Sequence, residues 1–404
     1  MRSIRTGVTL VASSIPPATL EVVRVLQAAG HQAFLVGGCV RDMLRGHPPK
    51  DFDVATSALP AQVQAAFRRV IPTGIQHGTV TVLVDKQHLE VTTFRTEGDY
   101  VDGRRPESVE FHTDVEADLS RRDFTINAMA LDPFTDRLVD PFGGREDLGL
   151  RVVRCVRSAL ERFTEDGLRC LRAVRFATVL DFTLDPQTEA AIAPTIPIFR
   201  KVAVERVREE FLKILLAPQV VRGLKLLHST GLMEAFLPEA EHSSFQAVAQ
   251  APVEVDARLA VLLAPAAQPL AILERLRLPT HSIKRIASLV ARQQPPAVDA
   301  SDREVRIWIR DVGAEPDSLA QQLAVCAALG HEVAALRLRV EQLRRDPLVP
   351  KQLALNGSEI MAALGTGPGP LVGQATRFLM DQVLSDPSKN TADSLRQLLG
   401  AFRP

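Results

Sequence analysis

The chain has 404 residues, 46% hydrophobic and 24% charged, with 48 Lys plus Arg against 48 Asp plus Glu. That length exceeds one compact core and calls for two to four domains. Zero formal charge excludes a surface coated in one sign, so any nucleic acid must meet a local patch, and 5% aromatics, with one Trp and one Tyr, exclude a binder built on rows of stacking rings.

The first segment, MRSIRTGVTLVASSIPP, has an apolar stretch interrupted by Ser13 and Ser14 and stopped by prolines, which argues against a signal peptide. Pro16-Pro17, the run ATLEVVRVLQAA and Gly30 predict a helix with a proline start and a glycine stop. Gln32–Val36 reads as a buried strand entering Gly37-Gly38, and Asp51–Ala55 as a second strand. SALPAQVQAAFRR predicts a helix capped by Ser57. TVTVLV and LEVTTF around Asp85–His88 predict a β-hairpin, and INAMAL and RLVDPF further short strands. The first 150 residues therefore read as an α+β domain with a mixed or mostly antiparallel sheet.

From about Arg154 the strand signal fades, and RCLRAVRFATVL, VERVREEFLKILL, RGLKLLHSTGL and HEVAALRLRVEQLRR place apolar residues at helical spacing. Ala/Pro-rich stretches around 250–269 and 293–297 read as joints between helical subdomains. Cys39, Cys155, Cys170 and Cys326 show no ligand spacing and read as reduced, packed thiols of a cytoplasmic protein. No apolar run approaches the roughly 18 residues of a membrane span.

Four constellations carry chemistry. In LVGGCVRDMLRG a strand meets Gly37-Gly38 and a helix opens beyond it, so that backbone amides face a phosphate and Arg41 adds a forked donor; a plain tight turn is the alternative. In KDFDVAT, Asp51 and Asp53 share a strand face at i and i+2, where two carboxylates repel unless divalent cations such as Mg²⁺ sit between them and a substrate. Glu90 is either a third carboxylate or an exposed strand-end residue. In LSRRDFTINAMA, Arg122 is placed to hold a triphosphate. In FTEDGLRCLRAVRFA, Thr164 would cap a helix carrying Glu165, Asp166, Arg169, Arg172 and Arg175. Asp166 and Arg169 are helix neighbours that either pair with each other or present an acceptor and a donor to a base edge with an exocyclic amine, cytosine or adenine. Arg172 and Arg175 would extend the triphosphate clamp.

GGCVRD, DFD, GDYVDGRRP, RRDFTINAMA, EDGLRCLRAVRF and VERVREEF stand in the order of the class II tRNA nucleotidyltransferases, and the chain resembles that family of CCA-adding enzymes and bacterial poly(A) polymerases over residues 33–215. LALNGSEIMAALGTGPGP and the residues after it resemble the family's tail. The resemblance implies a polymerase-β-like palm (residues 1–150), a helical neck (151–215), a body (216–350) and a tail (351–404). It implies template-independent addition of C, C and A to the 3′ end of tRNA from CTP and ATP. Asp51 and Asp53 would then be catalytic and hold Mg²⁺; Gly37, Gly38, Arg41 and Arg122 would bind the triphosphate; Asp166 and Arg169 would read the base, supported by Arg172 and Arg175. The Gly- and charge-rich segment Glu97–Pro106 would be the mobile element of the switch from C to A, and its full length favours complete CCA addition.

The sequence departs from many relatives at RLAVLLAPAAQPL (Arg258–Leu270), which lacks the His and Asp of an HD metal site, so no second metal centre is expected. His228, His242, His281 and His331 read as surface or packed residues, and Arg337, Arg339, Arg344, Arg345 and Lys351 as a solvated helix face or a phosphate contact. The alternatives are a partial A-adding or CC-adding enzyme, a poly(A) polymerase, and an inactive RNA-binding scaffold on the same fold.

Overall fold

The computed structural model describes residues 15–97, 100–101, 105–106 and 109–403, with side chains left out at 97, 100–101, 105–106 and 109. Two compact units divide the chain, Met1–Pro238 and Glu239–Pro404.

The first unit opens with α1 (Pro17–Ala28), closed by Gly30 at φ +86°, and β1 (Ala33–Val36). Then come α2 (Gly38–Leu44), β2 (Asp53–Thr56), α3 (Pro60–Ala66), β3 (Val70–Gly74), β4 (Thr79–Val84) and β5 (Gln87–Thr93). Asp85 and Lys86, both at positive φ, form the two-residue turn that joins β4 to β5. Short pairs follow: β6 (Arg95–Glu97) with β9 (Val109–Phe111), and β7 (Tyr100–Val101) with β8 (Arg105–Pro106). The expected mobile element, Glu97–Pro106, otherwise lies outside the described residues, as does the segment before Ile15. After α4 (Val115–Ser120), β10 (Ala130–Asp132) and β11 (Arg137–Val139) complete a seven-stranded sheet in the order β11-β10-β1-β2-β5-β4-β3. Only β2 and β5 run parallel, so the sheet is mixed, as expected.

Alternation along β1 decides which layer each side chain enters. Ala33 and Leu35 pack with Val22, Leu26 and Val54, whereas Phe34 and Val36 pack with Ala55, Phe94, Val115 and Leu119 beneath α4. Asp53 lies opposite Val36 and Glu90 opposite Asp53, so both carboxylates project from the α4 face of the sheet.

Helices take over after α5 (Gly144–Leu150) and β12 (Val152–Val153): α6 (Ala159–Glu165), α7 (Leu168–Leu180), β13 (Thr183–Leu184), α8 (Pro186–Ala190), α9 (Ile192–Phe199), α10 (Val204–Leu215), α11 (Val220–Ser229) and α12 (Leu232–Phe236). α7 is the axis of this bundle, with ten of its thirteen residues buried. The second unit is helical throughout its described residues. Val305, Trp308, Leu336, Leu379 and Leu395 share one of its cores, and Asn356 and Glu359 of NGSE form a reciprocal cap on the helix Gly357–Leu364. There Arg339 bonds Asp302 at 2.6 Å and Arg344 bonds Glu341 at 2.8 Å, which places both on a helix face satisfied by neighbouring acids. Among the described residues no helix is long and apolar enough to cross a membrane.

Four local expectations are corrected. Ser57 does not cap α3: its Oγ accepts from the Gln32 amide at 2.9 Å, and Gln62 caps the helix instead through the Leu59 amide at 2.8 Å. β2 starts at Asp53 rather than Asp51, because β1 turns away at Gly37 and leaves Phe52 and Asp51 without a strand partner. Only Ala130–Asp132 extends in INAMAL's place; the Asp123 carboxylate accepts from the Phe124 amide and from Asn127 Nδ2, drawing Thr125–Asn127 into a 3₁₀ turn. Thr164 donates to the Leu160 carbonyl inside α6, and the expected single helix breaks at Asp166, whose side chain accepts from the Leu168 amide at 3.1 Å.

At that break, a Cβ on Gly167 would lie 2.7 Å from the Phe199 backbone nitrogen and 2.8 Å from its Cα. Backbone cannot yield as a flexible side chain can, so Gly167→Ala is expected to lower stability by about 1–3 kcal/mol, read as a lower urea midpoint at an unchanged m-value.

Candidate functional site

The turn after β1 is shaped by Gly37, at φ +74° and ψ −131°, a backbone geometry costly for residues with a Cβ. The close approach explains the requirement further: a Cβ there would stand 2.9 Å from Arg122 Nη1 and 4.0 Å from Asp53 Oδ2. Gly37, Asp53 and Arg122, chosen from three separate motifs, therefore meet at one point. Gly38 opens α2 beside them, and its α-carbon faces Arg41, whose Nη2 would be 3.6 Å from an added Cβ.

Arg122 does not fully compensate the Asp53 carboxyl. Desolvation pushes the Asp53 carboxyl up; Arg122 pulls it down, Glu90 and Asp51 push it up again, and the net direction is upward. Glu90, exposed on β5, lies beside Asp53 in the register of the sheet. Among the described residues, no three His, Cys, Asp or Glu side chains converge as a ready-made metal cage. Oxygen-only donors in small number, crowded and under-compensated, fit Mg²⁺, which takes one or two carboxylates and completes its shell from substrate phosphate and water.

Each arginine is held in place by an acid. Arg121 Nε and Arg122 Nη2 donate to the fully buried Asp118 at 2.9 and 3.3 Å. Burial would raise Asp118, but the two guanidiniums hold it below the ordinary carboxylate range. Arg41 donates to both oxygens of Asp42, at 2.9 and 3.0 Å, and to Asn127 Oδ1 at 2.8 Å. Asn127 donates to Asp123 at 3.1 Å, and Arg172 of α7 donates to Asp123 through Nε and Nη2 at 2.8 and 2.6 Å. Burial pushes Asp123 up, yet Arg172 and Asn127 outweigh it and bring the group to about 2.

α7 and α10 supply the other wall. Arg175 pairs with the buried Glu210 of α10, which also accepts from Lys213 at 2.8 Å. Arg175, Arg41 and Arg172 lie 3.7, 5.3 and 5.4 Å from the ring centroid of Phe176. Asp166 and Arg169, for which pairing with each other is one of two readings of the sequence, each have another partner. Arg169 Nη1 donates to Glu165 at 2.6 Å and Nη2 to the Arg121 carbonyl at 3.1 Å, while Asp166 receives Arg206 Nη2 of α10 at 2.8 Å. Acid and base are each held by a different partner.

All the residues selected for catalysis or nucleotide binding belong to the first unit. Asp53, Gly37, Gly38 and Arg122 form one group, and Arg41 and Arg172 are tied to one another through Asn127 and Asp123. Sequence reasoning assigned no role to Asp118, Asp123, Asn127, Phe176, Arg206 or Glu210. A signal existed for several: Asp123 follows the arginine pair directly, and Arg206 and Glu210 are one helical turn apart in VERVREEF.

Similarity to known proteins follows the same residues. The family model described as "Poly A polymerase head domain" matches 33–154, and that described as "Probable RNA and SrmB- binding site of polymerase A" matches 181–243. A CCA-adding enzyme of Lactiplantibacillus plantarum is 35% identical over 393 residues, 94% of each chain. One from Geobacillus stearothermophilus is 49% identical over 219 residues, 54% of each chain. The crystal structure of the Bacillus stearothermophilus CCA-adding enzyme in complex with CTP superimposes with a TM-score of 0.79 at 33% identity, covering 96% of this chain and 98% of the other.

Replacing Asp123 by Asn removes the acceptor charge for Arg172, and a loss of about 1.5–3 kcal/mol is expected. Because folding depresses this carboxyl from 3.8 to about 2, its contribution is fully present above 3.8 and is lost as pH falls through 2. The stability gap between the wild type and Asp123→Asn, measured by urea titration, is expected to stay level above about pH 4 and narrow below it.

Proposed function

This chain belongs to the CCA-adding enzyme family of tRNA nucleotidyltransferases, and from that premise we propose that it adds C, C and A to the 3′ end of tRNA from CTP and ATP through the residues gathered at Gly37, Asp53 and Asp166. The observation that carries this assignment is the meeting of Gly37, Asp53 and Arg122. It sets phosphate donors against under-compensated carboxylates, which is the arrangement nucleotidyl transfer needs.

Asp51 and Asp53 would hold the divalent ion that this family uses, here Mg²⁺, which on binding acidifies the tRNA 3′-hydroxyl and neutralises triphosphate charge. Arg122, braced by Asp118, donates to the phosphate oxygens over the turn that Gly37 keeps open. The amide of Gly38 and the guanidinium of Arg41 stand beside it. With the triphosphate so oriented, the 3′-hydroxyl attacks the α-phosphorus in line and pyrophosphate leaves into arginine donors that stabilise its charge. Asp166 accepts from the exocyclic amine of cytosine or adenine, and Arg169 donates to the adjoining ring acceptor. Uracil, with a carbonyl where cytosine has that amine, meets Asp166 acceptor to acceptor and is disfavoured. Arg172 and Arg175 support the nucleotide from α7 while Asp123 and Glu210 hold them.

The division into palm (1–150), neck (151–215), body (216–350) and tail (351–404) is retained in this proposal. Four buried, unpaired cysteines support a reducing cytoplasm as its compartment.

Asp51→Ala/Asp53→Ala is expected to lower Mg²⁺-dependent pyrophosphate release by at least about 10³-fold, the scale of lost transition-state charge stabilisation; release at the wild-type rate would overturn the carboxylate assignment. Transcripts ending at the discriminator base, at C and at CC, offered CTP and ATP singly and together, are expected to be completed to CCA and no further. Arrest at CC, or homopolymer growth past CCA, would replace the assignment with another activity of the same family.

A further inference from the structure

VERVREEF lies in α10, and the reaction above uses its Glu210 but leaves its Arg206 without a role. Residues 206 and 210 are one turn apart, so they share a helix face, and both reach α7 or the break before it. Glu210 receives Arg175 and Lys213. Arg206 grips the carboxylate of Asp166 with both ends of its fork, Nη2 to Oδ2 at 2.8 Å and Nη1 to Oδ1 at 3.5 Å. The Leu168 amide adds a third donor to Asp166 Oδ1 at 3.1 Å.

We infer that Arg206 is a specificity-determining positioning residue: it fixes the register of the Asp166 carboxylate against Arg169, and through that register excludes uracil. The inference rests on the base-reading roles of Asp166 and Arg169 and deepens them.

The physical argument concerns two hydrogen-bonding patterns. Cytosine offers, in order along its edge, a donor (the amine), an acceptor (N3) and an acceptor (O2). Uracil offers an acceptor (O4), a donor (N3–H) and an acceptor (O2). An Asp acceptor and an Arg donor at a fixed spacing satisfy the first pattern. The same two groups satisfy the second if the carboxylate slides by one position to meet N3–H while the guanidinium moves to a carbonyl. Selectivity against uracil therefore depends on immobilising the pair as well as on its identity.

Arg169 is immobilised by Glu165 and the Arg121 carbonyl and is 9% exposed. Asp166 sits outside regular helix, at the break between α6 and α7, where backbone alone does not lock its side chain. The bidentate fork of Arg206 supplies that lock from α10; a lysine, with a point charge on a flexible stem, supplies it only in part. Four bonds separate the guanidinium from the α10 backbone, and Arg206 keeps 36% of its side-chain surface in solvent, so its truncation leaves the core intact.

The experiment measures kcat/KM for single-nucleotide addition of CTP and of UTP to a transcript ending at the discriminator base, using the full chain. The variants are Arg206→Ala, Arg206→Lys and Asp166→Ala, with thermal midpoints recorded in parallel. Arg206→Ala is expected to lower the CTP/UTP ratio about 10–100-fold, the range reached when a positioned polar contact is loosened, with Arg206→Lys between it and the wild type. A ratio within twofold of wild type in Arg206→Ala, alongside a collapsed ratio in Asp166→Ala, would overturn the inference while leaving Asp166 as the base reader. An unchanged ratio in Asp166→Ala would remove the base-reading role itself, and the inference with it. If Arg206→Ala does not accumulate as folded protein, Arg206→Gln, which keeps most of the side-chain length without the fork, is read by the same criteria.

Discussion

The first unit depends on one carboxylate. Asp123 lies where the α4 segment ends and the chain returns to the sheet, and from there it reaches Arg172 on α7, Asn127 in the following turn and, through Asn127, Arg41 on α2. Three segments that the sequence places far apart are thus held by one buried acid. A buried charge is tolerated only when its bonds are complete, and this geometry completes them: two nitrogens of one guanidinium, one amide side chain and one backbone amide.

The same logic governs the cations. Arg41, Arg172 and Arg175 surround Phe176, a concentration of like charge that would repel itself without nearby acids. Asp123 and Glu210 offset the repulsion from opposite sides, and the ring's negative face adds a smaller attraction. Burial alone would ease Arg172 toward its neutral form, but Asp123 and Glu210 raise it, so this guanidinium stays charged. Arg175 is moved the other way, mainly by burial, with Arg172 adding to the effect. The contrast with the carboxylates at β2 is instructive. There burial, with Glu90 and Asp51 adding to it, raises the Asp53 carboxyl against the pull of Arg122.

How much of this could be read from the chain depends on the range of the interaction that decides it. The hairpin around Asp85 and Lys86 and the amphipathic helices after Arg154 rest on contacts close in sequence and lie where periodicity and turn chemistry place them. The strand entering Gly37-Gly38 lies where its apolar run places it, although its partners β2 and β10 are distant in sequence. Ser57 departs from its local preference because Gln32, distant in sequence, claims its Oγ across a strand pair. At Thr164 and at Thr125–Asn127 one local bond displaces another, the Leu160 carbonyl taking the hydroxyl and the Asp123 carboxylate drawing in the turn. The i,i+3 spacing of Asp166 and Arg169 suggested a pair on one helix, but the helix breaks at Asp166, and Arg206 and Glu165 take the two partners.

By itself the sequence determined the family, the mixed sheet with helices, and the residue types that can handle a nucleoside triphosphate, because order and composition of short motifs carry that information without coordinates. Only the tertiary structure decided that Asp123 holds Arg172 and, through Asn127, Arg41, that Glu90 is a neighbour of Asp53, and that Arg206 of α10 bonds Asp166. Those outcomes turn on strand register and on the approach of segments some forty to ninety residues apart, and no spacing along a chain encodes a distance across it.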